Sequence, residues 1–156
     1  MILKPPAKLP DPPPRMVFLA GSIEMGSAPD WQAQCGETLS KLGYTVLNPR
    51  RDDWDTSWEQ RASNPQFRGQ VEWELDGLVL ADAVLMYFAP GTKSPITLLE
   101  LGLFAESQRL FVCCPDGFWR KGNVELVCER HEVPMLDTID DLLTAVVNHL
   151  KRTEHR

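Results

Sequence analysis

Met16-Val17-Phe18-Leu19-Ala20-Gly21 is an unbroken apolar run that stops at a glycine. A strand with one wet face alternates apolar and polar residues. A continuous run is buried on both faces, as in a parallel sheet covered by helices. Thr45-Val46-Leu47 stops at Asn48-Pro49, and similar runs follow at Ala83 to Phe88 and Leu110 to Cys114, with a short segment at His131 to Leu136. Helical patterns separate them. Asp30 to Leu42 carries Trp31, Cys35, Leu39 and Leu42 on one stripe, with Gly43 as its stop. Pro65 to Ala81 is the second helix, a Pro-Gly-Thr loop leads into a third, Phe118 to Arg130 is loop and helix, and Thr138 to Arg152 closes the chain. Strands alternating with helices predict an α/β three-layer sandwich, flavodoxin-like, with a parallel sheet of about five strands and helices on both faces.

The chain of 156 residues reads as one domain over 15–152, preceded by a proline-rich arm over 1–14 that is extended, and either poorly ordered or laid on a neighbouring surface. Apolar content of 43% and a net charge of −6 suit a globular protein and argue against a nucleic-acid binder, whose footprint would be basic. No apolar run approaches the roughly 20 residues that span a bilayer, and the N-terminus lacks a signal-peptide core, so a cytoplasmic setting with no membrane partner is expected. Cys35, Cys113, Cys114 and Cys128 show no C-x-x-C spacing and read as small core residues, with adjacent Cys113 and Cys114 on opposite faces of a strand. His131, His149 and His155 suggest no metal cluster, and neither a G-x-S-x-G elbow nor a Walker loop is present, so no cofactor and no metal are predicted.

Ligands of open parallel sheets bind beyond the carboxyl ends of the strands. The segments there are Gly21 to Gly26, Asn48 to Trp54, Ala89 to Ser94 and Pro115 to Trp119. Ser94-Pro95-Ile96-Thr97-Leu98-Leu99-Glu100-Leu101-Gly102 opens a helix, with Ser94 as N-cap and Pro95 in its first position. Glu100 has Ile96 one turn before it and Leu103 and Phe104 one turn after. An unpaired carboxylate is costly among apolar neighbours, so Glu100 has either a buried partner or a use in a cleft. Glu74 is similarly misplaced, at i+3 from Val71 and beside Leu75 and Leu78 on the inward stripe of its helix; pairing with an arginine is the structural alternative. Two converging carboxylates suit glycosidic chemistry, one attacking the anomeric carbon while the other manages the leaving group's proton. Gly21 and Ser22 offer close backbone approach and a hydroxyl to a sugar or phosphate. Arg50 and Arg51 either neutralise Asp52, Asp53 and Asp55 or reach a substrate. Trp54, Trp58, Trp73 and Trp119 are packing residues or base-stacking platforms, and Trp119 with Asn123 offers a pocket wall.

Phe18-Leu19-Ala20-Gly21-Ser22, then Glu74-Leu75-Asp76-Gly77-Leu78 with Asp82, then Glu100-Leu101-Gly102, resemble in order and spacing the nucleoside 2-deoxyribosyltransferase family over roughly Met16 to Leu150. The Ser-Pro-Ile-Thr-Leu-Leu-Glu variant with Asn48-Pro49-Arg50 is similar to a divergent, less characterised branch. The resemblance implies that Glu100 is the nucleophile, forming a glycosyl-enzyme intermediate, and that Glu74 handles the nucleobase. It also implies a small-molecule nucleoside or nucleobase as partner, bound by Gly21, Ser22, Asn48, Arg50, Ser94, Trp119 and Asn123, and a homodimer or higher homo-oligomer that completes its pockets. Where transferases of the family place an aspartate, six residues before the nucleophile, stands Ser94. Where its nucleotide hydrolases place an arginine against a 5′-phosphate stands Glu24, which favours an unphosphorylated substrate. The alternatives are a 5′-nucleotide N-glycosidase, a non-catalytic nucleoside- or nucleotide-binding module, and a structural partner docking through its arm.

Overall fold

The computed structural model describes residues 1–11, 13–24 and 28–153; Pro12, Met25, Gly26 and His155 of the segments named above lie outside them. The described strands are β1 (Ile2–Leu3), β2 (Met16–Gly21), β3 (Thr45–Leu47), β4 (Ala83–Tyr87), β5 (Leu110–Cys113) and β6 (Met135–Leu136). The described helices are α1 (Trp31–Lys41), α2 (Pro65–Leu80), α3 (Pro95–Phe104), α4 (Lys121–Arg130) and α5 (Ile139–Thr153). All strands pair in parallel in the order β1-β3-β2-β4-β5-β6.

The pleat sorts successive residues to opposite faces. Met16, Phe18 and Ala20 of β2 join a core with Trp73 and Leu78 of α2, Leu101 of α3 and Val124 of α4. Val17 and Leu19 face the other way, against Cys35 and Leu39 of α1 and Leu142 and Val146 of α5. The sandwich is therefore α2, α3 and α4 on one face and α1 and α5 on the other. Cys113 and Cys114 fall on opposite sides of it, and all four cysteines are buried and free. No helix among the described residues is long and apolar enough to cross a membrane.

Two features differ from the sequence reading. The sheet has a sixth strand, supplied at its edge by residues of the arm. Ile2 pairs with Val46, the N-terminal ammonium donates to Ser40, and the Ala7 carbonyl accepts from the Trp73 indole at 2.8 Å. Two residues of strand just ahead of a proline run carry no periodicity to read. The inward stripe of α2 is also centred differently: Gln70, Trp73, Gly77 and Leu78 are buried, whereas Leu75 is 42% exposed. Gly77 sets that rotation. A Cβ there would sit 3.0 Å from the Phe18 ring, so α2 rests on the sheet at its glycine and carries Glu74 on the flank.

The chain turns from β2 to β3 on one side and reaches β4 on the other. The switch point is thus at the carboxyl ends of β2 and β4, where open sheets hold their ligands.

Candidate active site

Glu100 sits in the second turn of α3 with 7% of its surface exposed. Among the described residues its carboxylate has no hydrogen-bond or ion-pair partner. Burial first, and the nearby charge of Glu74 second, push its pKa up to about 8. Glu74 is raised as well, by burial, against a hydrogen bond from Gln70 that favours its ionised form. Among the described residues no arginine holds it: the Gln70 amide nitrogen donates to Glu74 Oε1 at 2.6 Å, while Arg68 pairs with Glu72. α2 and α3 thus bring together two carboxylates whose charges oppose each other in a place shielded from water. Chemically, that set can hold one proton between an attacking and a proton-handling group.

A second cluster lies at the switch point. Gly21 adopts φ +147°, and a Cβ there would run into the Tyr87 carbonyl, so its close approach is to the chain itself. Ser22, fully enclosed, bonds through its hydroxyl to Ser94 at 2.6 Å and Thr92 at 2.8 Å, and accepts from the Ala89 N–H. Ser94 occupies the N-cap position but does not cap. At φ +45° its hydroxyl turns back to Ser22 and Thr92. Glu24, itself at φ +48°, supplies the anion instead: its Oε1 accepts from the Lys93 and Ser94 N–H groups at 2.9 and 2.8 Å. A carboxylate at a helix N-terminus complements the dipole. Sequence gave Glu24 only a repulsive role; its bond to a loop some 70 positions away has no local signature.

Asn48 and Arg50 form a third group. Asn48 Oδ1 accepts from the Arg50 N–H at 3.0 Å, and the Arg50 guanidinium donates to the Ala28 and Pro29 carbonyls at 2.9 and 3.1 Å. It also meets Gln32 Oε1 at 3.4 Å, tying the β3 end to the start of α1. Arg51 pairs with Asp53 and lies 5.0 Å from the Trp58 ring centre. Trp73 is core, packed on Phe18. Trp119 and Asn123 line a groove of about 350 Å³ with Leu98, Leu101 and Gly102, on the α4 side of α3; Glu100 is not among its lining residues. The Trp119 indole donates to the Lys93 carbonyl, and Lys93 Nζ and Arg120 Cζ lie 4.2 and 4.3 Å from its ring centre.

Among the described residues no group of three or more His, Cys, Asp or Glu is placed to hold a metal ion. The residue that sequence reasoning missed is Gln70, which ties Glu74 to the Pro49 carbonyl. Its one signal was its position, a full turn before Glu74.

A family model described as nucleoside 2-deoxyribosyltransferase like matches residues 14–118, about two thirds of the chain. The matched span includes Ser22, Glu74, Ser94 and Glu100 and stops short of Trp119 and Asn123. A comparison with curated proteins found no match.

Proposed function

The chain belongs to the nucleoside 2-deoxyribosyltransferase-like family, and on that premise we propose that it breaks the N-glycosidic bond of a 2′-deoxynucleoside through Glu100. A carboxylate oxygen of Glu100 bonds to the anomeric carbon as the carbon–nitrogen bond breaks. The base leaves with that electron pair and takes a proton from Glu74. Water or a second base then attacks the same carbon, returns a proton to Glu74 and frees the Glu100 carboxylate. The observation that carries this reading is a nearly enclosed carboxylate without a structural partner, set against a second carboxylate. Such a group costs stability and gives none back, which is the mark of a site kept for chemistry.

The test is incubation with 2′-deoxyadenosine, with and without a second base, followed by chromatography. Free adenine alone identifies hydrolysis and a new nucleoside identifies transfer. Neither product supports the non-catalytic binder.

Glu74→Gln is expected to slow natural nucleosides more than a substrate whose leaving group needs no proton. It also removes the acid member of the pair, so the fall of kcat/KM as the pair loses its last proton near pH 8 in the wild type is absent from the variant. Equal slowing of both substrates with an unmoved profile would make Glu74 structural.

The substrate we propose is unphosphorylated. The Lys93 and Ser94 N–H groups, just ahead of α3, would otherwise welcome a phosphate, but Glu24 already holds both. A second negative charge about 4 Å away would cost about 4 kcal/mol at an effective dielectric of about 20. 2′-Deoxyadenosine should therefore be consumed well ahead of its 5′-monophosphate in parallel assays. The reverse order would favour the 5′-nucleotide N-glycosidase.

The protein is further proposed to self-associate. Ile96, Leu99 and Leu103 expose about 60% each along one side of α3, and Leu75 and Val79 are exposed on α2 over the same sheet face. Apolar helix faces of this kind mark interfaces, and this one borders Glu100, so a second copy would wall the cleft. Light scattering should give at least twice the 17.6 kDa of the chain, and Leu99→Glu should return it to the monomer mass. A monomeric wild type at micromolar concentration overturns the proposal.

A further inference from the structure

Gln70 is 4% exposed. Its amide nitrogen donates to Glu74 Oε1 at 2.6 Å and to the Pro49 carbonyl at 3.1 Å. A backbone carbonyl only accepts, and so does an ionised carboxylate, so the amide is oriented with its nitrogen toward both, and its N–H groups are committed. What remains is Oε1, an enclosed acceptor with no hydrogen-bond partner. Buried carbonyl oxygens nearly always have a donor, and here the missing donor belongs beside the carboxylate assigned to the leaving base.

We infer that Gln70 is a specificity-determining residue, its Oε1 accepting from an exocyclic amino group of the nucleobase while Glu74 serves the ring nitrogen next to that group. The inference rests on the reading of Glu74 above and goes beyond it by naming the base class. On the edge that carries N7, adenine presents a ring-nitrogen acceptor beside its amino donor, and the same edge of guanine or hypoxanthine presents two acceptors. A protonated carboxyl paired with a lone amide oxygen is a donor beside an acceptor, the complement of the first pattern and not of the second. An oxo group facing Oε1 would oppose two acceptors and leave the amide oxygen without a donor, and sites that must leave a polar group unpaired reject the analogue strongly. The Gln70 amide is bonded directly to Glu74 at 2.6 Å, so a base that meets the Glu74 carboxyl lies beside the same amide.

2′-Deoxyadenosine and 2′-deoxyinosine test this, because their bases differ in the amino or oxo group at one carbon. Wild-type kcat/KM should favour 2′-deoxyadenosine at least tenfold, and Gln70→Leu should bring the ratio close to one. A purely structural Gln70 would lower both rates and leave the ratio alone. No preference in the wild type, or an unchanged ratio in the variant, overturns the inference. Should Gln70→Leu fail to fold, Gln70→Met is measured in its place. Calorimetric titration of adenine and of hypoxanthine into the wild type reads the same discrimination without turnover: adenine should bind at least tenfold tighter, and equal affinity or no adenine binding overturns the inference. Adenine-selective binding with no turnover of any nucleoside would sink the glycosidase reading while leaving this one standing.

Discussion

Glu100→Ala is expected to reduce turnover of the best nucleoside substrate by about 10⁴-fold or more, the scale of losing a covalent nucleophile. The fold should survive. The side chain makes no hydrogen bond or ion pair among the described residues, so its removal unties nothing. Glu100→Gln should fail equally in turnover and still bind nucleoside, because the amide keeps the shape and loses only the attacking oxygen. The contrast matters because Glu74 lies close by. If Glu74 were the attacking group and Glu100 its neighbour, Glu100→Gln would relieve the like-charge repulsion and retain substantial activity. Single-turnover assays on both variants, with trapping of the glycosyl intermediate in the wild type, separate the two assignments. A rate within tenfold of wild type in Glu100→Ala excludes Glu100 as nucleophile.

The strands were legible because burial on both faces leaves an unbroken apolar run, and β2 and β3 begin and end where those runs do. β1 was not, since two residues cannot show a period and their pairing partner lies more than forty positions away. The rotation of α2 was misread for a related reason. Periodicity gave a stripe through Leu75, but Gly77 lets the helix lie against Phe18, and the contact that fixes its angle is tertiary. Glu100 and Glu74 stood out because a carboxylate among apolar neighbours breaks the local pattern. Gln70, Glu24 and Thr92 break none. An amide or hydroxyl on a helix or loop is ordinary until its partners are known, and the Pro49 carbonyl, the Lys93 and Ser94 N–H groups and the Ser22 hydroxyl that complete these sets come from other elements. Ser94 shows the limit of local rules. Its N-cap position was right, yet its hydroxyl is drawn into the Ser22–Thr92 cluster, and its own N–H donates to a distant glutamate.

Glu100→Gln should also make the protein markedly more stable at neutral pH, the opposite of what most substitutions at a nearly enclosed position do. An unfolded chain releases the proton of a glutamate near its model value of 4.5, whereas the folded chain keeps it to about 8. The folded state therefore binds the proton more tightly. The associated stability is fully present below about pH 4.5 and is lost progressively as pH rises toward 8, beyond which nothing further is lost. At pH 7 the wild type should have given up about 3 kcal/mol at this one group, from 1.36 kcal/mol per pH unit over the interval. Glutamine has no proton to release and escapes that loss. For a chain of this size the difference corresponds to a melting temperature higher by on the order of 10 °C. Thermal melts of wild type and Glu100→Gln should nearly coincide near pH 4.5 and separate steadily up to about pH 8. Parallel curves across that range would mean that Glu100 ionises in the folded protein as freely as in water, and a carboxylate so well hydrated would not sit in a cleft shaped to use its charge.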